Sequence, residues 1–185
     1  MDNLVAFQEI LGVSFRHPEL LEQALVHSSY INENPDSASV SNERLEFLGD
    51  AILGFVVAEK LYQDFPDLAE GEMTKLRADL VCRDTLARLA GAIGLGDFLY
   101  LGRGEEASGG RDKPANLAGA LEAVIAAVFL DRGSAAAKRF ILKLFEEELK
   151  RPAAQGGEAN YKSQLQEFIQ AREQQTPSYL SLIHI

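Results

Sequence analysis

The chain has 185 residues, 46% of them hydrophobic, and a formal net charge of −10 from 18 basic and 28 acidic side chains. This length and apolar fraction are sufficient for a folded core and exclude a disordered chain. The negative charge argues against a protein that coats nucleic acid by bulk charge, because such domains are usually basic. It leaves room for a nucleic-acid enzyme whose substrate anions are bridged by metal.

The single cysteine, Cys82, excludes an intramolecular disulfide framework and a multi-cysteine zinc site. The opening residues do not have the charged-then-apolar pattern of a signal peptide, so we expect a cytoplasmic protein.

Apolar residues recur at three- and four-residue spacing through most of the chain, which predicts an all-α domain over residues 1–151. Pro18 fits the first turn of the second helix, and Phe65-Pro66 ends the third. The predicted helices cover residues 3–11, 18–28, 42–64, 70–93, 114–131 and 134–150. The polar stretch 32–41 and the glycine-rich stretch 101–112 are predicted to be loops.

The composition changes after this domain. Residues 152–159 have the composition of a flexible linker, and residues 160–179 predict one short amphipathic helix followed by the start of a strand. These elements cannot bury a core by themselves, so we expect them to begin an incomplete second domain. Residues 180–185, LSLIHI, match a translated reading frame of a common transposase adapter used in DNA libraries, and we expect them to be non-native.

The third predicted helix carries carboxylates among mostly apolar neighbours. Glu43, Glu46 and Asp50 are spaced i, i+3 and i+7 and therefore fall within roughly 60° of one another on the helix surface. Gly49 and Gly54 each cost about 1 kcal/mol of helix stability, which suggests that a neighbouring helix approaches closely.

Glu122 is the only ionisable side chain between Lys113 and Asp131. The segment is short for a membrane span and has a carboxylate at its centre, so a core helix is favoured and no membrane partner is expected. A carboxylate buried in such a helix must pair with a cation, take up a proton or bind a metal ion.

Two interpretations of these acids stay open from spacing alone. Glu122 could pair with Arg44 or Arg77 while the acids of the third helix form a solvated stripe. Alternatively, Glu122 could converge with Glu46 and Asp50 on Mg²⁺ or Mn²⁺, ions that favour oxygen ligands and promote phosphodiester hydrolysis.

Residue identity favours the second interpretation. Residues 42–51 read NERLEFLGDA, which resembles the signature of the ribonuclease III family. Further blocks agree with that family in order and spacing: HSSY at 27–30, FP at 65–66, EGEM at 70–73, LGRGE at 101–105, SGG at 108–110, LEA at 121–123 and FLD at 129–131. The string YKSQLQEF at 161–168 resembles the first helix of the double-stranded-RNA-binding domain that follows the nuclease domain in bacterial members.

The resemblance implies a homodimeric, Mg²⁺-dependent endoribonuclease, with Mn²⁺ as a possible substitute. It would hydrolyse double-stranded RNA to 5′-phosphate and 3′-hydroxyl ends in the processing of ribosomal and other RNAs. The implied fold is the all-α ribonuclease III endonuclease domain, followed over residues 160–179 by the beginning of an α+β double-stranded-RNA-binding domain. Because the rest of that domain would follow residue 179, we expect RNA binding to be weak and strongly salt-dependent.

The resemblance also implies roles for individual residues. Glu46, Asp50 and Glu122 correspond to metal ligands, and Asp50 and Glu122 to the catalytic acids. Glu43 and Glu70 are expected near the RNA. Phe47 is expected at the dimer interface, with an ordinary core phenylalanine as the alternative.

The sequence departs from the family pattern at Gly119, where an acidic residue normally precedes the glutamate by one helical turn. A water molecule could fill the resulting gap, or Asn116 could offer its amide oxygen. The departure implies weaker affinity for the metal ion or a shifted preference among metal ions, without a certain loss of activity. It is also the one feature that favours an alternative function, in which the chain binds double-stranded RNA without cleaving it.

Three smaller features complete the predictions. The histidines His17, His27 and His184 share no ligand spacing, and His27 is expected to make structural hydrogen bonds. The basic residues of the predicted helix 70–93 are expected to form a solvated face, with phosphate contact as the alternative: Lys75, Arg77, Arg83 and Arg88. Residues 146–148, three consecutive glutamates, are expected to be an ordinary charged run.

Overall fold

The computed structural model describes residues 2–35 and 40–150, which lie in one compact unit. The predicted linker, the beginning of a second domain and the adapter-like tail lie outside the described residues and stay predictions.

The described residues form α-helices joined by short connections and contain no strand, which confirms the all-α prediction. The helices are α1 (Asp2–Leu11), α2 (Pro18–Ala24), α3 (Ser28–Glu33), α4 (Glu43–Asp64), α5 (Glu70–Leu80), α6 (Arg83–Ala92), α7 (Arg103–Ala107), α8 (Pro114–Arg132), α9 (Ser134–Leu144) and α10 (Glu146–Lys150). Two short 3-10 segments, Leu95–Phe98 and Gly110–Asp112, flank α7.

Helix α8 is the centre of the core. It is apolar on nearly every side, and α2, α4, α6 and α9 pack around it. It is the one described helix long and apolar enough to span a membrane, but most of it is buried inside the protein, which confirms the core-helix prediction.

Close contact between α4 and α8 depends on Gly49. A Cβ atom at this position would collide with the backbone carbonyl of Glu122, so the two helix backbones meet here. The equivalent prediction for Gly54 is wrong within the described residues, because no atom of another helix lies within 4 Å of the place of its Cβ. The contact at Gly49 brings the middle of α8 against the first half of α4.

The predicted helix 18–28 is interrupted between α2 and α3. Hydrogen bonds to a distant part of the chain cause the break: the Tyr100 N–H donates to the Leu25 carbonyl at 2.9 Å, and the His27 N–H donates to the Tyr100 carbonyl at 3.1 Å. The Asn42 N–H also donates to the Val26 carbonyl at 2.8 Å. Tertiary hydrogen bonds therefore replace the helical ones, and the chain resumes as α3, which includes residues predicted as loop.

Other predicted boundaries also change. The helix predicted over 70–93 breaks at Val81 and Cys82, because Cys82 is extended (φ −70°, ψ 157°) before α6 turns its apolar face to α8. The helix predicted over 134–150 breaks at Phe145, which is fully buried between α9 and α10. The stretch 101–112 is not only loop, since α7 forms within it.

Candidate active site

The candidate site lies where α4 begins and passes the middle of α8. The side chain of Asn42, just before α4, is buried, and its Nδ2 donates to the Ala24 carbonyl at 3.2 Å. This contact fixes the start of α4 against α2 and so sets the direction in which Glu46 and Asp50 point. Sequence reasoning missed this role, although Asn42 opens the family signature.

The carboxylates of Asp50 and Glu46 lie close enough to Glu122 to interact with it electrostatically. The pKa of Glu122 is raised to about 7, first by burial and then by the negative charges of Asp50 and Glu46. The pKa of Glu46 is also raised, mainly by burial and then by Glu43, while His27 opposes the shift. Glu46 and Glu122 are half-buried and Asp50 is exposed, so the group opens to solvent on the side of Asp50.

The interpretation that Glu122 is neutralised by a basic residue is wrong. Within the described part of the chain, no ion pair joins Glu122 to Arg44 or Arg77. Two half-buried carboxylates face each other without a cation, an arrangement that disfavours their charged forms. A bound cation would relieve this cost.

Gly119 lies directly beneath the carboxylate of Glu46. A Cβ atom at residue 119 would be 2.7 Å from Glu46 Oε2 and 2.8 Å from Glu46 Cδ. The carboxylate of Glu46 therefore occupies the space in which a side chain at residue 119 would begin. The metal-bound water suggested for this gap stays a prediction. Glu46 leans toward α8 because glycine leaves room for it.

The donor chemistry of these residues fits a divalent cation. All three side chains offer oxygen, which Mg²⁺ and Mn²⁺ favour, and Mg²⁺ usually retains several waters among its six ligands. Over residues 2–35 and 40–150, no three Asp, Glu, His or Cys side chains lie close enough together to hold a metal ion. In the described arrangement an ion would therefore contact fewer than three of these carboxylates directly, and water would complete its coordination.

Glu43 and Glu70 lie in different surroundings. Glu43 is exposed at the start of α4, accepts a hydrogen bond from Ser41 Oγ at 2.7 Å, and is close enough to raise the pKa of Glu46. Glu70, at the start of α5, accepts from Thr74 Oγ1 at 2.8 Å and lines a hollow beside the second half of α4. Within one chain, only Glu43 belongs to the acidic group.

A network of hydrogen bonds supports the side of the site formed by α3 and α7. The His27 side chain accepts from the Ser29 N–H at 3.2 Å and is 2.8 Å from Ser29 Oγ, which confirms the structural role predicted for His27. Glu33 accepts from the N–H groups of Arg103 at 2.8 Å and Gly104 at 3.2 Å, which lowers its pKa. The network fixes the first turn of α7.

Asn116 belongs to the same network. Its Nδ2 donates to Glu105 Oε1 at 2.8 Å and to the Gly110 carbonyl at 2.9 Å, and Lys113 Nζ reaches the same Glu105 oxygen at 2.8 Å. These contacts tie α7 to the start of α8. The structure thus gives the amide nitrogen of Asn116 a structural role, while the suggestion that its amide oxygen binds metal stays a prediction.

Phe47 is 81% exposed, so the alternative of a core phenylalanine is wrong. Phe55 and Tyr62, on the same helix, are 68% and 73% exposed. Two hollows of about 440 and 400 Å³ flank Phe55, and both have mainly apolar surfaces. We call the surface formed by Phe47, Phe55 and Tyr62 the α4 apolar face.

One contact joins two charged residues of which only the glutamate departs from the prediction. Arg88 is exposed, in agreement with the predicted solvated face, and its Nη1 lies 2.7 Å from Glu148 Oε1. Glu148 is only 7% exposed, so residues 146–148 are not an ordinary charged run. This ion pair ties α10 to α6.

Comparison with known proteins identifies the family. Residues 17–149 match the family model described as Ribonuclease-III-like. The chain is 53% identical over 179 residues to Ribonuclease 3 of Dehalococcoides mccartyi strain CBDB1, covering 97% of this chain and 76% of that protein. It is 49% identical over 173 residues to Ribonuclease 3 of Syntrophomonas wolfei, covering 94% and 73%.

Solved structures agree with this result. The crystal structure of the nuclease domain of ribonuclease III from Campylobacter jejuni superimposes with a TM-score of 0.74 at 41% identity, covering 82% of this chain and 99% of that chain. Dicer from Pichia stipitis superimposes with a TM-score of 0.57 at 26% identity, covering 90% and 73%. The predicted family and endonuclease-domain fold are confirmed: the chain belongs to the ribonuclease III family and is a ribonuclease III-type endoribonuclease.

Proposed function

We propose that the chain hydrolyses the phosphodiester bonds of double-stranded RNA as a homodimer with Mg²⁺, and that Mn²⁺ can replace Mg²⁺. The products would carry 5′-phosphate and 3′-hydroxyl ends. Precursors of ribosomal and other RNAs in the cytoplasm are the proposed substrates. The observation that supports this proposal is the raised pKa of Glu122, half-buried and facing Glu46 and Asp50.

The proposed mechanism assigns the three acids different positions. Glu46 and Glu122 would hold the ion from α4 and α8, whose spacing is fixed by backbone contact at Gly49. A divalent ion bound there would supply positive charge for the reacting phosphate and make water a stronger nucleophile. Asp50 is the exposed member, so its carboxylate is the one open to substrate and to exchange of a proton with solvent.

The α4 apolar face supports the proposed homodimer. Exposed aromatic side chains along one helix are unusual on a monomer and are typical of protein interfaces. A two-fold dimer would place the same face of each subunit against the other, with Phe47 buried near the acids. A structural study of the Campylobacter jejuni nuclease domain describes flexibility in a region involved in its dimer formation.

Glu43 and Glu70 are proposed to lie near the RNA from different sides. Glu43 is beside the acids of its own chain, whereas Glu70 lines the same hollow as Phe55 and Tyr62. In the proposed dimer, Glu70 therefore lies at the boundary between subunits.

The alternative of a non-catalytic RNA-binding relative is not favoured. It depended on Gly119, but Glu46 fills the space above that glycine, and the acids on α4 and α8 remain grouped. The relatives of about half identity described above are ribonucleases.

The test is cleavage of long double-stranded RNA by the purified chain at low salt in Mg²⁺. We expect short products with 5′-phosphate ends, and we expect Glu122→Gln to lower turnover by about 10³-fold, or about 4 kcal/mol in the activation barrier. Glu9→Gln, an equal charge change at an exposed position of α1, should leave turnover unchanged. Full activity of Glu122→Gln, with a folded chain by circular dichroism, would refute the assigned site.

A further inference from the structure

A polar hollow, of about 340 Å³, lies between the α1–α2 connection and α9. Arg139 and Lys143 line it from α9, Arg132 from the end of α8, and Ser14 from the connection. We call it the cationic hollow, because three basic side chains meet there and no acidic side chain lines it.

Within residues 2–35 and 40–150, the basic side chains of the cationic hollow form no ion pairs. Other basic side chains pair with carboxylates, including Lys60, Arg111 and Lys138. Across the described ranges, no carboxylate lies within 4.0 Å of the charged groups of Arg139 or Lys143. In a chain with a net charge of −10, unpaired cations around one hollow are an arrangement suited to an external anion.

Arg132 shapes the wall of the hollow. Its Nη1 donates to the Ser14 carbonyl at 2.9 Å, which holds the α1–α2 connection in place. Gly12, with φ of +66°, turns the chain out of α1, and its own N–H donates to the Glu9 carbonyl at 3.1 Å. The connection is therefore a fixed wall.

Ser14 supplies hydrogen-bond donors to this wall. The neighbouring N–H groups are used: Val13 donates to the Gln8 carbonyl at 3.1 Å, and Phe15 donates to Gln8 Oε1 at 2.7 Å. Among the described residues, the Ser14 N–H has no acceptor, and its side chain is exposed. A backbone N–H, a hydroxyl and two or three cations form the usual donor set for phosphate.

The cationic hollow is separate from the acidic group. Arg132 lies ten positions after Glu122 on α8, which corresponds to about 15 Å along the helix axis. The two sites also have opposite charge. An anion at the cationic hollow therefore does not contact the acids proposed to hold the metal.

The helix dipole explains the positions of only two of the three basic residues that line the cationic hollow. Arg132 and Lys143 lie in the last turns of α8 and α9, where a cation is stabilised by the helix dipole. Arg139 lies in the middle of α9, four residues before Lys143 and on the same face. The helix dipole does not account for its position at the hollow.

We propose that the cationic hollow binds a phosphate group, either from the backbone of an RNA duplex that extends beyond the cleavage site or from a free phosphate anion. This proposal stands on the hollow itself and does not require the acids to be catalytic. For a duplex, the hollow would add affinity without reading sequence, since phosphate contacts position RNA but carry no base information.

The first measurement uses the full chain, ¹⁵N-labelled and in EDTA so that no hydrolysis occurs. Inorganic tripolyphosphate is added while amide resonances are followed by NMR. We expect saturable shifts at Ser14 and its neighbours. We expect the shifts to be lost in the double variant Arg139→Gln/Lys143→Gln. Lys60→Gln/Lys138→Gln, which makes the same charge change at side chains paired with carboxylates, should retain them.

The second measurement compares the same proteins for binding of a long RNA duplex in EDTA over a range of salt concentrations. If the phosphate comes from RNA, Arg139→Gln/Lys143→Gln lowers affinity about tenfold at low salt and reduces the salt slope by about 1–2. If only the tripolyphosphate shifts are lost, the hollow binds a free phosphate anion.

Two outcomes would overturn the proposal. One is the absence of saturable shifts at Ser14 together with unchanged duplex binding by Arg139→Gln/Lys143→Gln. The other is an equal loss of binding in both double variants, which would show that anions respond to total charge. Because neither measurement requires cleavage, failure here is distinguishable from failure of the proposed nuclease function.

Discussion

Two carboxylates removed from solvent, Glu148 and Glu122, have opposite surroundings. Glu148 is 7% exposed and lies 2.7 Å from the guanidinium of Arg88. Glu122 is half-buried and faces Asp50 and Glu46; burial first, and then these two negative charges, raise its pKa to about 7. A buried acid with a cationic partner contributes to folding, whereas a buried acid that faces other acids reduces stability and is retained for another reason. In this chain that reason is the proposed metal site.

The comparison predicts that breaking the Arg88–Glu148 pair has a large effect on folding. Arg88→Met should lower the free energy of unfolding by about 2–3 kcal/mol, because it leaves the Glu148 carboxylate buried without its guanidinium. Thermal and urea unfolding measure this change. Arg83→Met, an exposed change on the same helix, should alter stability by less than about 0.5 kcal/mol. Equal effects of the two variants would show that the pair does not stabilise the fold.

The sequence alone indicated the unusual position of Glu122 but not that of Glu148. Glu122 could be identified because it is a single ionisable residue in a long apolar helix, and helical spacing grouped Glu46 with Asp50. Glu148 could not, because it sits in a run of three glutamates and its partner is 60 residues away. Local spacing reveals a charge within an apolar pattern, but it does not reveal which member of a charged run is buried.

The same holds for the fold: features set by local sequence were predicted, and features set by contacts with distant residues were not. Apolar periodicity predicted α4 and α8 with boundaries within a residue of those observed, and Gly49 correctly indicated their contact. The interruption after Ala24 was not predicted because its cause is hydrogen bonding to Tyr100, far along the chain. The buried amide of Asn42 was missed for the same reason.

We expect metal binding to offset the loss of folding stability that results from placing the acids close together. We expect Mg²⁺ at about 100 times its dissociation constant to raise the free energy of unfolding by about 2.7 kcal/mol, because the ion binds the folded state. Glu122→Gln should lose most of this gain, and Glu9→Gln should retain it. Thermal unfolding with and without Mg²⁺ gives the result. Equal stabilisation of parent and Glu122→Gln would place the ion elsewhere.

Without metal, Glu122→Gln should make the protein more stable near neutral pH. The pKa of Glu122 is raised in the folded state, so the folded protein holds this proton more tightly than the unfolded chain. The cost is absent below the unfolded pKa of about 4.5, grows as pH rises, and is complete above about pH 7. Because the side chain is only half-buried, solvent screening limits the gain to about 1 kcal/mol.

Urea unfolding of parent and Glu122→Gln in EDTA, at about pH 5 and about pH 8, measures this difference. The two proteins should be close in stability at the lower pH and diverge at the higher one. A gain that is the same at both pH values would mean that the variant acts through packing and not through charge.

The smallest effect is expected at Gly119, where steric and charge effects can be separated. Gly119→Ala adds only the Cβ atom, which would lie 2.7 Å from Glu46 Oε2 and so displace that flexible carboxylate. We expect Gly119→Ala to weaken Mg²⁺ binding a few-fold, since Glu46 then leaves the position that it takes above the glycine.

Gly119→Asp displaces Glu46 in the same way but adds an oxygen ligand and a negative charge. We expect it to bind Mg²⁺ several-fold more tightly than Gly119→Ala and to be slightly less stable than the parent in EDTA, because a fourth carboxylate joins the group. Calorimetric Mg²⁺ titrations of the three proteins give the affinities. Identical titrations would show that the contribution of Glu46 to Mg²⁺ binding does not depend on the glycine. The contrast between acids grouped to bind an ion and an acid paired to stabilise the fold would then depend on Glu122 alone.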